Sequence, residues 1–308
     1  MTETVRLIAF PGAPNLPIFA ARENGFFEDR GIDLELTTTP NSVYQIEKLA
    51  AGDFDLAATA FDNIVAYQEG QGAVSLEGDP DLFVFMGATQ IELSLVVTPD
   101  IASFDGLKGR SLALDALATG FAFVLYRMLE NAGLTLDDVT MIPVGATPDR
   151  WKSVEDGSHA GTLTIEPFTA MARGKGFGVL ESSLETVDHY QGGIFAAKRG
   201  WAGENADLLK GFIAAYLDGL AWVLDPANLD PATEILTRNM PAIKPAAASK
   251  VMAKVLSPET GLTPLAAINP DGMATVLELR SAYGPAGTDL HDADKYLDLS
   301  FYRDALRT

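Results

Sequence analysis

Leu49-Ala-Ala-Gly-Asp-Phe-Asp-Leu-Ala-Ala-Thr-Ala-Phe-Asp-Asn63 decides how this chain is read. Gly52 can close a helix. Residues 54–58 read as a buried strand, apolar but for Asp55, and residues 59–62 break it before a second helix. In open α/β sheets, ligands bind where a strand end gives way to a helix N-terminus. This stretch is therefore expected to form one wall of a small-molecule cleft.

Working toward the N-terminus, Asn41 or Ser42 can cap the preceding helix, with Gln45 completing a capping box from Ser42. Residues 32–36 alternate like a strand. Pro17 suits the first turn of a helix running to about Phe27, and residues 5–10 read as a buried strand before the loop 11–15. Short strands alternating with helices imply parallel βαβ units.

Working toward the C-terminus, residues 82–88 and 94–98 are strands. Thr89-Gln-Ile-Glu92 between them reads as a crossover between two lobes. Strands at 111–114, 139–144 and 160–165 then alternate with helices at 121–131 and from Thr147 to near Gly157. Residues 154–166 repeat the order of the opening stretch: helix end, glycine, strand, acid. Further strands are expected at 177–180 and 193–198, the second returning to the first lobe. A long helix at 208–224 shows apolar residues at helical spacing, Phe212, Ala215, Tyr216, Gly219, Leu220 and Val223. Helices at 232–239, 246–256 and 271–281 complete the chain.

Composition narrows the function. The 308 residues suffice for two domains, and a hydrophobic fraction of 47% can fill both cores. A net charge of −20 disfavours nucleic acid and anionic membranes as partners. There is no cysteine, which removes disulfides, thiol nucleophiles and thiolate metal sites. The three histidines, His159, His189 and His291, lack metal-ligand spacing. Gly174-Lys175 stands without the rest of a phosphate loop, so no cofactor is expected. No apolar run reaches the length of a membrane span. The first residues do not have the make-up of a signal peptide. That fits either a cytoplasmic protein or an extracytoplasmic one whose leader was removed.

Several segments, in order, resemble the solute-binding proteins of nitrate, sulfonate, taurine and thiamine-precursor ABC importers. Leu16-Pro-Ile-Phe-Ala-Ala-Arg-Glu-Asn-Gly-Phe-Phe-Glu-Asp-Arg-Gly-Ile-Asp33 is similar to the family's first helix ending in Gly-Phe-Phe. Gly52 and Asp55 occupy the fixed places of its Gly-x-x-Asp. Phe104-Asp-Gly-Leu-Lys-Gly-Arg110, Ile165-Glu-Pro-Phe168 and the helix 206–223 followed by Asp225-Pro226 match later segments. The chain departs from the pattern where Gly157-Ser-His-Ala160 lacks the second acid, and in showing no leader. The family's cytosolic enzymes, a desulfinase and pyrimidine synthases, depend on cysteines absent here.

The resemblance implies a two-lobed type II periplasmic-binding-protein fold of α/β class. Each lobe would be a mixed, mainly parallel sheet flanked by helices, with lobe 1 at residues 1–88 and 190–308 and lobe 2 at residues 89–189. Strand exits and helix starts then nominate the ligand contacts Asn15, Ser42, Tyr44, Thr59, Phe61, Asp62, Gln90, Asp115, Thr119, Glu166 and Phe168. Several of these can equally be helix caps. Arg150, the nearest cation, is expected to face solvent from its helix. The cleft then reads as acid-rich, from Asp62, Asp115 and Glu166. That favours a neutral or cationic ligand, with Tyr44, Phe61 or Phe168 available to stack on an aromatic one.

Two functions follow. One is capture of a small organic molecule by hinge closure, by a monomer that hands it to an ABC permease. The other is a cytosolic enzyme or ligand sensor on the same fold, with lyase- or hydrolase-like chemistry drawing on Asp62 or Glu166.

Overall fold

The computed structural model describes residues 2–307. The chain begins β1 (Glu3–Ala9), α1 (Leu16–Glu23), β2 (Ile32–Thr38), α2 (Ser42–Ala51), β3 (Leu56–Ala60), α3 (Phe61–Gln68) and β4 (Leu82–Thr89). A second unit follows: β5 (Ser94–Val97), β6 (Ser111–Leu114), α4 (Gly120–Asn131), β7 (Thr140–Pro143), α5 (Thr147–Glu155), β8 (Gly161–Thr164), α6 (Phe168–Gly174), β9 (Gly178–Ser182) and α7 (Ser183–Thr186). The remainder is β10 (Gly193–Lys198), α8 (Arg199–Glu204), α9 (Ala206–Leu224), α10 (Leu229–Asn239), α11 (Pro245–Val255), α12 (Pro270–Tyr283) and α13 (Ser300–Ala305).

The strands form two five-stranded sheets, ordered β2-β1-β3-β10-β4 and β7-β6-β8-β5-β9. The orders are equivalent. In each, three parallel strands are followed by one antiparallel strand, and the edge strand restores the first direction. Two sheets of this kind flanked by helices make the two-lobed α/β fold. The chain passes between the sheets twice, once between β4 and β5 and once between β9 and β10. We propose lobe boundaries near residues 88/89 and 189/190, close to these passages.

Local chemistry explains the repeated pattern. Asn41 caps α2 by accepting from the Tyr44 amide at 2.7 Å. Gln45 is buried instead of completing a box, and its amide donates to the carbonyls of Ile8 and Ala58. Gly52 closes α2 at φ 82° and Gly157 follows α5 at φ 80°, the left-handed region where glycine carries no Cβ penalty. Asp55 then locks β3 to β1. It accepts from the Arg6 backbone at 2.8 Å and pairs with the guanidinium at 2.6 Å. In the second sheet the same register sets Ala160 beside Ser111, through a 2.8 Å backbone bond matching that of Asp55 to Arg6. The acid and its basic partner are replaced together, and His159 Nδ1 lies 3.0 Å from Ser111 Oγ.

Some elements differ from the expected ones. β3 runs through Thr59 and Ala60, so those residues belong to the strand instead of breaking it. α1 stops at Glu23, because Gly25 turns the chain at φ 79°. Helices α6, α7, α8 and α13 were not expected; none exceeds seven residues, too short for a periodic pattern.

The first lobe's core is organised around α9. Phe212 and Tyr216 pack against Phe195 of β10, at ring-centroid distances of 5.7 and 4.7 Å. Gly219 lets α9 approach α1, since a Cβ there would lie 2.5 Å from the Pro17 carbonyl oxygen. Burying each such aromatic contributes about 1.5–3 kcal/mol.

Candidate functional site

A cavity of about 100 Å³ lies between the lobes. One water needs only about 10–15 Å³ on this scale, so there is room for a small molecule. The first lobe contributes Asn15, Ile18, Thr59, Phe195 and Tyr216, and the second contributes Asp115, Thr119, Phe121, Arg150 and Ile165. Its walls are mostly apolar, with polar groups on both lobes and the two charged ones, Asp115 and Arg150, on the second.

Four of the nominated residues border this cavity. Asn15 is buried and ties down its own loop, donating to the Phe10 carbonyl at 2.8 Å. Thr59 accepts from the Asn63 amide at 2.9 Å. Thr119 caps α4 through the Ala122 amide. Asp115 does not cap a helix on its own lobe. It reaches across to accept from the Ser42 amide of α2 at 3.1 Å.

The other nominees sit elsewhere. Ser42 is buried beside that Asp115 contact. Tyr44 lies on a wide outer groove with Asn41 and Leu117. Phe61 lies inside the core, edge-on to Tyr296 at 5.9 Å, because α3 turns that side of its first turn inward. Gln90 accepts from the Asn269 side chain at 3.0 Å. Phe168 packs with Trp151 and Val154 in a small separate cluster. Glu166 lines a neighbouring pocket of about 40 Å³ together with Glu92, Arg173 and Lys254. Its carboxylate accepts from the Ala170 amide at 3.2 Å. Burial raises its pKa above the usual carboxylate value.

Asp62 is fully engaged. Arg280 of α12 grips both its oxygens at 2.7 Å, and the Gly120 amide adds a 2.6 Å bond. The cleft is therefore not acid-rich, since only Asp115 of the three carboxylates lines the cavity.

Arg150 corrects the expectation of a solvent-facing side chain. It is 2% exposed and borders the cavity. Nη2 donates to Thr147 Oγ1 at 2.8 Å, whereas Nε and Nη1 have no partner among the described residues. Burial lowers its pKa to about 10, with the charge of Asp115 opposing that shift, so it remains a cation at neutral pH. The signal for it was faint: α5 turns the Arg150 and Trp151 side inward, and the short helix gives no clear apolar stripe to reveal this.

The lobes touch through the protein's own groups. The Ala146 amide donates to the Pro40 carbonyl at 2.8 Å and the Ala13 amide to the Glu166 carbonyl at 3.0 Å. α12 spans both lobes: Arg280 also donates to the Ala118 carbonyl at 3.0 Å, and Glu278 accepts from Arg127 at 2.8 Å. Among the described residues no cluster of three or more acids or histidines can hold a metal ion, and no helix is long and apolar enough to cross a membrane.

Comparison with known proteins agrees with this architecture. A Bordetella bronchiseptica RB50 protein superposes with a TM-score of 0.81 at 21% identity, over 99% of this chain and 97% of that one. The periplasmic nitrate-binding protein NrtA of Synechocystis PCC 6803 gives 0.79 at 15% identity, covering 99% and 89%. The periplasmic aliphatic sulphonate-binding protein SsuA of Escherichia coli gives 0.67 at 20%, covering 92% and 87%. At such identities the likeness is one of fold. No curated protein sequence matches the chain. The family described as NMT1/THI5 like matches residues 14–228, well over half of the sequence. The chain belongs to that NMT1/THI5-like family.

Proposed function

We propose that this protein is a solute-binding protein that captures a small organic anion between its lobes, for delivery to an ABC-type permease outside the cytoplasmic membrane. The observation that carries the reading is Arg150, a buried guanidinium bordering the cavity with two unpartnered donor nitrogens. A buried guanidinium with unpaired donors and no hydrogen-bonded carboxylate is costly. A carboxylate, sulfonate or similar anion would supply the missing acceptors, in the forked geometry that guanidinium favours. The apolar walls suit a hydrocarbon body. This reverses the preference for a neutral or cationic ligand, which rested on counting Asp62 and Glu166 among the cleft groups. The nitrate- and sulphonate-binding neighbours lend support, each through its own ligand.

Catalysis is the weaker reading. Asp62, one of its two acid/base candidates, is saturated by Arg280 and Gly120. Native mass spectrometry of the purified protein, followed by calorimetric titration of nitrate, taurine, alkanesulfonates and short carboxylates, tests the proposal. Binding confined to cations or neutral molecules would overturn it.

A further inference from the structure

We infer that Tyr216 is a specificity-determining residue, reading a hydroxyl or carbonyl oxygen at the end of the ligand opposite its acid group. The inference rests on the organic-anion reading and names a finer ligand class: a short organic acid of a few carbons with an oxygen function at its far end.

Tyr216 lies on the buried face of α9, in the lobe opposite Arg150, and is 1% exposed. It borders the same cavity as Arg150. Its hydroxyl has no hydrogen-bond partner among the described residues. The ring is held edge-on against Phe195, 4.7 Å between centroids, which fixes where the hydroxyl can reach. If the position only filled apolar space, phenylalanine would do so without stranding a polar group. Burial raises the phenol's pKa, so the hydroxyl stays protonated and available as a donor.

The side-chain amides on this side are committed to the protein. The amide of Asn15 is bound to the Phe10 carbonyl, and that of Asn63 to Thr59. Apolar Phe10, Ile18, Ala88 and Phe195 share the first-lobe wall with Tyr216. The cavity thus has a charged anchor on one lobe, an apolar stretch, and an unfilled hydroxyl on the other. Sites built to bond a ligand oxygen discriminate strongly against the analogue lacking it, because the protein group is then left unpaired.

The test uses the full chain and a panel of carboxylates and sulfonates of two to six carbons, unsubstituted and ω-hydroxylated, titrated by calorimetry. Wild-type protein is expected to prefer the ω-hydroxylated member at the fitting length by about tenfold or more. Tyr216→Phe should erase that preference, keep the affinity for the unsubstituted acid, and leave the thermal midpoint without ligand equal or higher. The inference is overturned if the variant keeps the preference, if no chain length shows one, or if the variant lowers the midpoint as loss of a structural bond would. Should no member of the panel bind, the organic-anion reading falls as well. If unsubstituted acids bind through Arg150 but Tyr216→Phe changes nothing, that reading stands and only the role of Tyr216 fails.

Discussion

Arg280 and Asp62, 218 residues apart, form a two-pronged ion pair sealed from solvent. Nε donates to Oδ1 and Nη2 to Oδ2, both at 2.7 Å, and the guanidinium also stacks 4.9 Å from the Phe123 ring centroid. Removing one member leaves the other charge buried alone. Arg280→Met or Asp62→Asn should cost about 3–5 kcal/mol in urea unfolding. Arg280→Met combined with Asp62→Leu should recover part of that loss. Equal midpoints for single variants and wild type would show that the pair contributes little.

Gly120 sets how closely the lobes approach. A Cβ at this position would fall 2.5 Å from the Tyr190 hydroxyl and 2.7 Å from Asp62 Cβ. Gly120→Ala should hold the lobes apart at this contact. The expected result is a larger radius of gyration by small-angle scattering and weaker ligand binding, with both sheets still folded by circular dichroism.

Arg150→Met should weaken anion binding by about 10- to 100-fold, the range for hydrogen bonds to a charged group. Its stability without added anion should hold or rise, since an under-satisfied buried charge is removed. Because the Arg150 pKa is near 10, wild-type affinity should be flat from about pH 6 to 9 and decline above about pH 10. A midpoint near neutrality, measured by titration at each pH, would assign the binding charge to another group.

Glu166 gives a stability signature of its own. Its pKa is raised above 4.5 in the folded state by burial, so the folded chain holds this proton longer than the unfolded one. The contribution is therefore fully present below about pH 4.5 and is lost as pH rises through the folded value. Glu166→Gln should gain on wild type progressively across that window. Thermal midpoints from pH 4 to 7 check this, and parallel curves would count against it.

How far the sequence foretold the molecule depended on range. Gly52 and Gly157, each at a helix end, marked both lobes, because left-handed turns are written in single residues. Thr59 and Thr119 reached the cavity border because strand and helix ends are local events. Asp62 looked available only because Arg280 lies on α12, far along the chain. Tyr216 passed as one more apolar residue of a helical stripe, and its unused hydroxyl emerges only once every neighbour is in place. Arg150 was misplaced because no sequence pattern says which side of a short helix a second lobe will cover.

The bonds between Gly120 and Asp62, and between Ser42 and Asp115, have an energetic consequence for ligand capture. They are made by protein groups alone, so part of the drive toward the shut form does not depend on the solute. Less of the solute's intrinsic affinity is then spent on shifting the conformational equilibrium. Where the solute enters only through the parted lobes, the same contacts must break first. Association rates should therefore approach a ceiling as solute concentration rises, set by how often Asp62 and Asp115 let go.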